Sequence, residues 1–139
     1  MRYFLFATHG RFATGILDSV ELITGKHDNI LTINAYTDEN DDLDAQIAQV
    51  LSRLATADEL VVVTDLFSGS VNNAFMNRLD DERIHLVAGL NLPLAIELVT
   101  MSAQEPDTVK LIETALNSSK QSIKYCNQEL HFERTDDDF

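Results

Sequence analysis

Apolar runs alternate with stretches of helical periodicity along most of the chain. Residues Tyr3–Ala7 are continuously apolar, which is typical of a strand that is buried on both faces. From Phe12 onward, apolar residues recur three or four positions apart until Gly25, and this spacing predicts a helix. The first predicted unit is therefore a strand followed by a helix.

The same alternation continues towards the end of the chain. Three further strands are predicted at Asn29–Ile33, Leu60–Asp65 and Ile84–Gly89. Periodic apolar residues predict the helices that follow them: Leu43, Ile47, Val50, Leu51 and Leu54 for the second, and Val71, Ala74, Phe75 and Leu79 for the third. Pro93 and Pro106 each suit the first turn of a later helix. The last of these carries Val109, Ile112, Leu116 and Ile123.

This order of elements predicts an α/β fold with a doubly wound, mostly parallel sheet and helices on both faces. We expect strands one and three to be neighbours, which gives the strand order 2-1-3-4. Residues Lys124–Phe132 alternate weakly and predict a C-terminal edge strand, since a neighbouring sheet would satisfy its backbone groups. We expect one domain over residues 1–132 and an acidic, flexible tail over 133–139.

Composition narrows the classes of partner. The formal charge of −13 argues against nucleic acid and against an anionic membrane surface, because both are bound by clustered Lys and Arg. No apolar stretch approaches the ~20 residues that span a bilayer, and His9 interrupts the apolar start too early for a signal peptide. The lone Cys126 fits a reducing compartment, so we expect a cytoplasmic protein.

Polar residues follow the two strands that we expect to be neighbours, and His9 and Asp65 lie among them. In such a sheet, ligands bind beyond the carboxyl ends of the strands, where the chain leaves in opposite directions. An aspartate beside a histidine fixes one imidazole tautomer and leaves the other ring nitrogen free as a nucleophile or base. We therefore take His9 as the candidate catalytic residue and Asp65 as the residue that orients it.

The segment after Asp65 offers groups that suit a phosphoryl ligand. Ser68, Gly69 and Ser70 stand at a predicted helix start, where hydroxyls, backbone N–H groups and the helix dipole favour anionic oxygens. An ordinary structural interpretation is also open, because Asp65 and Ser70 are both typical helix caps. The same holds for His9, since a histidine at a strand end is often only a hydrogen-bonding loop residue.

Other candidate chemistry is weaker. The remaining histidines fall in a turn, within a strand and near the tail, and we interpret them as structural: His27, His85 and His131. No pair of histidines or carboxylates has a metal-ligand spacing, and neither glycine-rich nucleotide-binding motif occurs. We therefore expect no metal and no cofactor.

Three motifs, in order, resemble the enzyme IIA component of the mannose family of the bacterial phosphoenolpyruvate-dependent sugar phosphotransferase system. They are "FATHG" near the start, "DLFSGSVNNA" (Asp65–Ala74) and "AGLNLPLAIE" (Ala88–Glu97). The resemblance implies that His9 takes a phosphoryl group from the histidine-containing phosphocarrier protein and passes it to a IIB component, with Asp65 hydrogen-bonded to it. Membrane permease components are then reached only indirectly.

The loop departs from the family pattern at three positions. Phe67 replaces a tryptophan, Ser68 a glycine and Val71 a proline. Serine tolerates a positive φ less well than glycine, so we expect a loop of different shape. We interpret Phe67 together with Asn73 and Asn91, which match family positions, as residues for partner docking or loop support.

The resemblance also implies a homodimer whose subunits exchange the C-terminal strand as an antiparallel edge strand. Two alternatives remain open. The first alternative is a phosphotransfer subunit that serves dihydroxyacetone kinase. A neighbouring gene for that kinase would favour this alternative. Or it is a non-catalytic, flavodoxin-like binding or regulatory module, which failure of His9 to take up phosphate would favour.

Overall fold

Strands and helices alternate in the computed structural model, which describes residues 1–130. The strands are β1 (Arg2–His9), β2 (Ile30–Ala35), β3 (Glu59–Thr64) and β4 (Ile84–Ala88). The helices are α1 (Phe12–Thr24), α2 (Leu43–Leu51), α3 (Ser70–Met76), α4 (Leu92–Met101) and α5 (Thr108–Lys120). Within this described part, no helix is long and apolar enough to cross a membrane.

The sheet is parallel throughout its described strands, in the order β2-β1-β3-β4. This confirms the predicted order and the predicted neighbours β1 and β3. Phe6 lies opposite Val63, and Ala7 lies opposite Thr64. The two central strands therefore end side by side, and the residues that follow them meet at one edge of the sheet.

Each central strand is buried on both faces. Because successive side chains of a strand point to opposite faces, Phe4 and Phe6 join the core under α1, α4 and α5, whereas Leu5 and Ala7 join the core under α2 and α3. Fully burying a side chain as large as Phe6 contributes about 1.5–3 kcal/mol. Two cores thus hold the ends of β1 and β3 in fixed positions.

Several helix starts are held by the polar residues that precede them. Asn91 Oδ1 accepts a hydrogen bond from the Leu94 N–H at 2.9 Å, and Pro93 falls in the first turn of α4, as the sequence predicts. Asp107 Oδ1 accepts from the Val109 N–H at 3.1 Å at the start of α5. These caps satisfy N–H groups that a helix leaves without internal partners.

The predicted edge strand at Lys124–Phe132 is wrong for the residues that the structure describes. Residues 126–130 are helical and residues 121–130 are all exposed, while residues 131–139, which include His131 and the predicted acidic tail, lie outside the described part. A strand needs a neighbouring chain for its backbone groups, whereas a helical turn satisfies them locally. The Glu129 N–H donates to the Tyr125 carbonyl at 3.2 Å in this way.

Three helices also end earlier than the apolar pattern predicts. Leu54 lies beyond the end of α2. Leu79 lies beyond the end of α3 and is 40% exposed, and Ile123 lies beyond the end of α5 and is 78% exposed. An apolar residue in the turn that follows a helix extends the periodic pattern, so the pattern alone places the helix end too late.

One buried polar contact joins β3 to α3 across the loop between them. Thr64 is fully buried and Asn72 is 2% exposed. The Thr64 hydroxyl donates to Asn72 Oδ1 at 2.8 Å. The bond fixes both ends of the loop 65–69, which carries the candidate phosphate-binding residues.

We expect Thr64→Val to lower the free energy of unfolding by about 1–3 kcal/mol, because valine keeps the shape of threonine but leaves the buried Asn72 oxygen without its donor. Urea unfolding followed by circular dichroism measures the change. Thr100→Val is the matched control, since Thr100 is exposed, and it is expected to change stability by no more than about 0.5 kcal/mol. Equal unfolding midpoints for the two variants would contradict this role.

Candidate active site

The T-H-G motif builds the turn from β1 into α1. The fully buried Thr8 accepts a hydrogen bond through Oγ1 from the Ala13 N–H at 2.8 Å, which satisfies one N–H of the first turn of α1. Gly10 has a φ of 60°, in the left-handed region that glycine adopts without strain. Its N–H donates to the Ala35 carbonyl at 2.8 Å. His9 is therefore held at the sheet edge between two fixed neighbours.

Asp65 accepts two hydrogen bonds from His9 through one oxygen. The distance to Oδ2 is 2.8 Å from the His9 backbone nitrogen and 2.9 Å from the ring Nδ1. Because an ionised carboxylate only accepts hydrogen bonds, Nδ1 carries a proton, and in the neutral imidazole Nε2 then keeps its lone pair. The His9 side chain is 39% exposed and that of Asp65 is 13% exposed, so the imidazole is the more exposed member of the pair.

The environment of Asp65 keeps its carboxyl group ionised. Burial alone would raise the pKa of Asp65, but the hydrogen bonds from the His9 backbone and ring outweigh burial and hold that pKa below its ordinary value. A carboxylate next to the ring stabilises positive charge that develops on it when Nε2 forms a bond.

Ser70 and Tyr36 lie on the other side of the ring. Ser70 Oγ is 3.3 Å from His9 Nε2, and Tyr36 Oη is 2.8 Å from Ser70 Oγ. The Tyr36 and His9 rings are tilted by 43° with their centroids 5.6 Å apart. The two nitrogens of His9 therefore face different partners, a carboxylate at Nδ1 and a hydroxyl at Nε2.

Sequence reasoning missed Tyr36, although a signal was present. Tyr36 directly follows β2, and β2 neighbours β1, so its carboxyl end reaches the same edge of the sheet. The predicted second strand ended at Ile33, whereas β2 continues to Ala35 and pairs there with His9. With the strand two residues too short, Tyr36 did not stand out as a residue beside the site.

Gly69 allows the loop to approach the His9 ring closely. A Cβ at this position would lie 3.2 Å from Leu66 Cβ and 3.4 Å from His9 Cε1. A side chain there would be crowded by Leu66 and would touch the ring, so the glycine contributes space and Ser70 contributes the hydroxyl.

The loop keeps a left-handed residue at position 68 even though that residue is serine. Ser68 has a φ of 64°, at a cost of about 1–2 kcal/mol for a residue with a Cβ. Asn73 Nδ2 donates to the Ser68 carbonyl at 3.3 Å and holds this conformation. Asn73 thus supports the loop.

Two further candidates lie around the site rather than against the His9 ring. Phe67 is 79% exposed at the tip of the loop, next to Leu66, which is 59% exposed. Asn91 caps α4 and lines a groove between α1 and α4 together with Phe12. Phe67 and Leu66 present apolar surface beside His9, and Asn91 has a structural partner of its own.

The other described histidines have structural partners. His27 Nε2 lies 2.7 Å from Thr24 Oγ1 in the turn after α1, and His85 Nε2 lies 2.8 Å from Glu59 Oε2. Among residues 1–130, no three His, Cys, Asp or Glu side chains are grouped as a metal site would require. The arrangement at His9 combines a partly exposed imidazole with a carboxylate at Nδ1 and a hydroxyl at Nε2, which could serve nucleophilic or acid–base chemistry.

Comparison with known proteins gives a consistent assignment. The family model described as "PTS system fructose IIA component" matches residues 3–116. The fructose-specific EIIA component of Bacillus subtilis is 26% identical over 134 residues, which cover 94% of this chain and 90% of that protein. The sorbose-specific EIIA component of Klebsiella pneumoniae is 35% identical over 113 residues, covering 76% of this chain and 81% of that protein.

A solved structure from Klebsiella pneumoniae shares the fold along most of its length. It is described as a putative phosphoenolpyruvate-dependent sugar phosphotransferase system permease, is 50% identical to this chain, and superposes with a TM-score of 0.88 over 93% of both chains. Together with the family model, these similarities show that the chain belongs to the mannose/fructose family of IIA components of the sugar phosphotransferase system.

Proposed function

We propose that this chain is a phosphoryl relay in sugar uptake. His9 accepts a phosphoryl group from the histidine-containing phosphocarrier protein and passes it to a IIB component, through which the membrane permease is supplied. The observation that carries the proposal is that the two ring nitrogens of His9 have different partners. Nδ1 lies 2.9 Å from the Asp65 carboxylate, whereas Nε2 lies 3.3 Å from the Ser70 hydroxyl, on a side chain that is 39% exposed.

The transfer is an in-line displacement at phosphorus. The lone pair of His9 Nε2 forms the new N–P bond while the N–P bond to the donor imidazole breaks, and the bonding electrons return to the donor ring. His9 gains imidazolium character, which the Asp65 carboxylate stabilises through Nδ1–H. Transfer to the IIB component follows the same path in reverse, with His9 as the leaving group.

The loop after β3 supplies donors for the phosphoryl oxygens. The Ser70 hydroxyl lies 3.3 Å from Nε2, and a Cβ built at Gly69 would lie 3.4 Å from His9 Cε1, so the loop runs close to the ring. The Gly69 N–H donates to the Leu66 carbonyl at 3.1 Å, so within Ser68–Ser70 the further donors that we propose are the N–H groups of Ser68 and Ser70. Donors held in place before the reaction stabilise developing charge without reorganisation. Phe67 and Leu66 provide the apolar surface on which a partner protein docks and excludes water.

We propose a homodimer held by the C-terminal segment. Ile123, Tyr125 and Leu130 are 78%, 64% and 54% exposed, so this segment gains little from packing on its own chain. Burying such side chains against a second copy removes apolar surface from water, and closed two-fold symmetry lets both copies contribute the same segment. The protein then works as a dimer in the cytoplasm, where its phosphocarrier partner operates.

Replacing His9 tests the relay directly. We expect His9→Gln to fold normally and to take up no phosphate from phosphoenolpyruvate in the presence of the two general phosphotransferase proteins, because the nucleophilic nitrogen is lost. His27→Gln is the matched control and is expected to incorporate phosphate like the wild type. The measurement is acid-labile, alkali-stable phosphate bound to the protein, and phosphate on the His9→Gln variant would disprove the proposed site.

Replacing Asp65 tests the orienting carboxylate. We expect Asp65→Asn to slow single-turnover phosphorylation by about 10- to 100-fold, the value of one charge-assisted hydrogen bond lost from the transition state. Asp107→Asn serves as the control, since it keeps a capping residue at α5 and lies in a different part of the fold. Wild-type rates in the Asp65→Asn variant would reduce Asp65 to a residue that only shapes the loop.

Truncation tests the dimer. A chain ending at Ser122 is expected to sediment as a monomer or to aggregate, because it lacks the exposed apolar residues of the C-terminal segment. A chain ending at Phe132 loses the acidic end but keeps those residues, and it is expected to remain dimeric. Stable dimers of the shorter chain would place the interface elsewhere on the surface.

A further inference from the structure

Tyr36 is placed at the site by a strained backbone. It follows the last residue of β2 with a φ of 64°, in the left-handed region that residues with a Cβ rarely adopt. A conformation of this kind persists where the surrounding structure determines it, and it is often found at functional sites. Here the strain accompanies a side chain that contacts Ser70 and stands against the His9 ring.

Polar contacts on both sides fix the segment that carries Tyr36. On the β2 side, Asn34 exchanges hydrogen bonds with Thr14 of α1, through its side-chain amide and its Oδ1. On the other side, Asp41 Oδ2 accepts from the Thr37 N–H at 3.2 Å and from the Asp38 N–H at 3.0 Å. Hydrogen bonds on both sides of Tyr36 therefore fix the position of its phenol at the site, although Tyr36 is 57% exposed.

The protonation of His9 fixes the direction of the hydrogen bonds in front of it. With the ring proton on Nδ1, Nε2 only accepts, so the Ser70 hydroxyl donates to Nε2 across 3.3 Å. The Ser70 oxygen is then an acceptor for the Tyr36 hydroxyl across 2.8 Å. The order of donation runs from Tyr36 to Ser70 to His9.

We infer that Tyr36 is a positioning residue for phosphoryl transfer, acting through Ser70. The inference rests on the proposed function of His9 as phosphoryl carrier. In the resting protein, the pair Tyr36–Ser70 supports, through its contact at Nε2, the ring orientation that Asp65 sets at Nδ1. When Nε2 bonds to phosphorus, its lone pair is consumed, and the Ser70 O–H turns to a phosphoryl oxygen. Tyr36 continues to donate to Ser70 Oγ and makes the serine a stronger donor to that oxygen.

Kinetics of the two hydroxyl variants test this coupling. Tyr36→Phe keeps the ring beside His9 and removes only the hydroxyl, so we expect single-turnover phosphorylation to slow by about five- to tenfold. Ser70→Ala is expected to slow it at least as much. The double variant is expected to be no slower than Ser70→Ala alone, because Tyr36 acts through Ser70. Tyr3→Phe, at the opposite end of β1, is the matched control and is expected to keep the wild-type rate.

Independent effects of the two substitutions on the rate would overturn the coupling between Tyr36 and Ser70. If the double variant loses the product of the two single effects, Tyr36 acts on its own and not through Ser70. A wild-type rate in Tyr36→Phe would also overturn the inference, since the hydroxyl would then contribute nothing to transfer.

A spectroscopic measurement separates this inference from the proposed function. In the unphosphorylated protein, the ¹⁵N resonance of His9 Nε2 is expected to move in Ser70→Ala and, less, in Tyr36→Phe, while the Nδ1 resonance stays in place. An unmoved Nε2 resonance in Tyr36→Phe overturns the inference, whether or not the protein takes up phosphate. If the wild type takes up no phosphate but Nε2 moves as expected, the contact stands and the proposed relay fails.

Discussion

The site depends on one oxygen of one carboxylate. Asp65 Oδ2 receives both the backbone N–H and the ring N–H of His9, at 2.8 and 2.9 Å. The first contact ties the end of β1 to the end of β3, and the second turns the imidazole and selects its tautomer. One carboxylate thus both connects the two strand ends and orients the imidazole. Burial alone would raise the pKa of Asp65, but the two N–H groups of His9 outweigh burial and keep that pKa below its ordinary value.

That oxygen is in position because the sheet places it there. The register that sets Ala7 opposite Thr64 brings the next residues of both strands to the same edge, and the apolar side chains on both faces prevent either strand from sliding. Ala35, the last residue of the neighbouring strand β2, pairs with His9, and Tyr36 directly follows it. Three adjacent strand ends therefore contribute to one small group of side chains.

Sequence patterns predict most of this arrangement, for physical reasons. Strands buried on both faces must be continuously apolar, so β1 and β3 are easily recognised, and their neighbouring ends bring His9 and Asp65 together. Edge strands carry a weaker pattern, and the end of β2 at Asn34 and Ala35 was missed, which hid Tyr36. The C-terminal segment was misjudged because alternation over a few residues does not reveal whether a neighbouring chain exists to pair with it, and residues 126–130 are helical here.

The way in which Asp65 holds the imidazole has a consequence for the product. A half-turn of the ring about its bond to Cβ would exchange Nδ1 with a carbon and break the bond to Oδ2, so the ring is locked in one orientation. Under the proposed relay, a phosphoryl group on this ring would be attached at a single nitrogen, as one regioisomer. Such a carrier has one hydrolytic lifetime and offers every acceptor the same angle of approach.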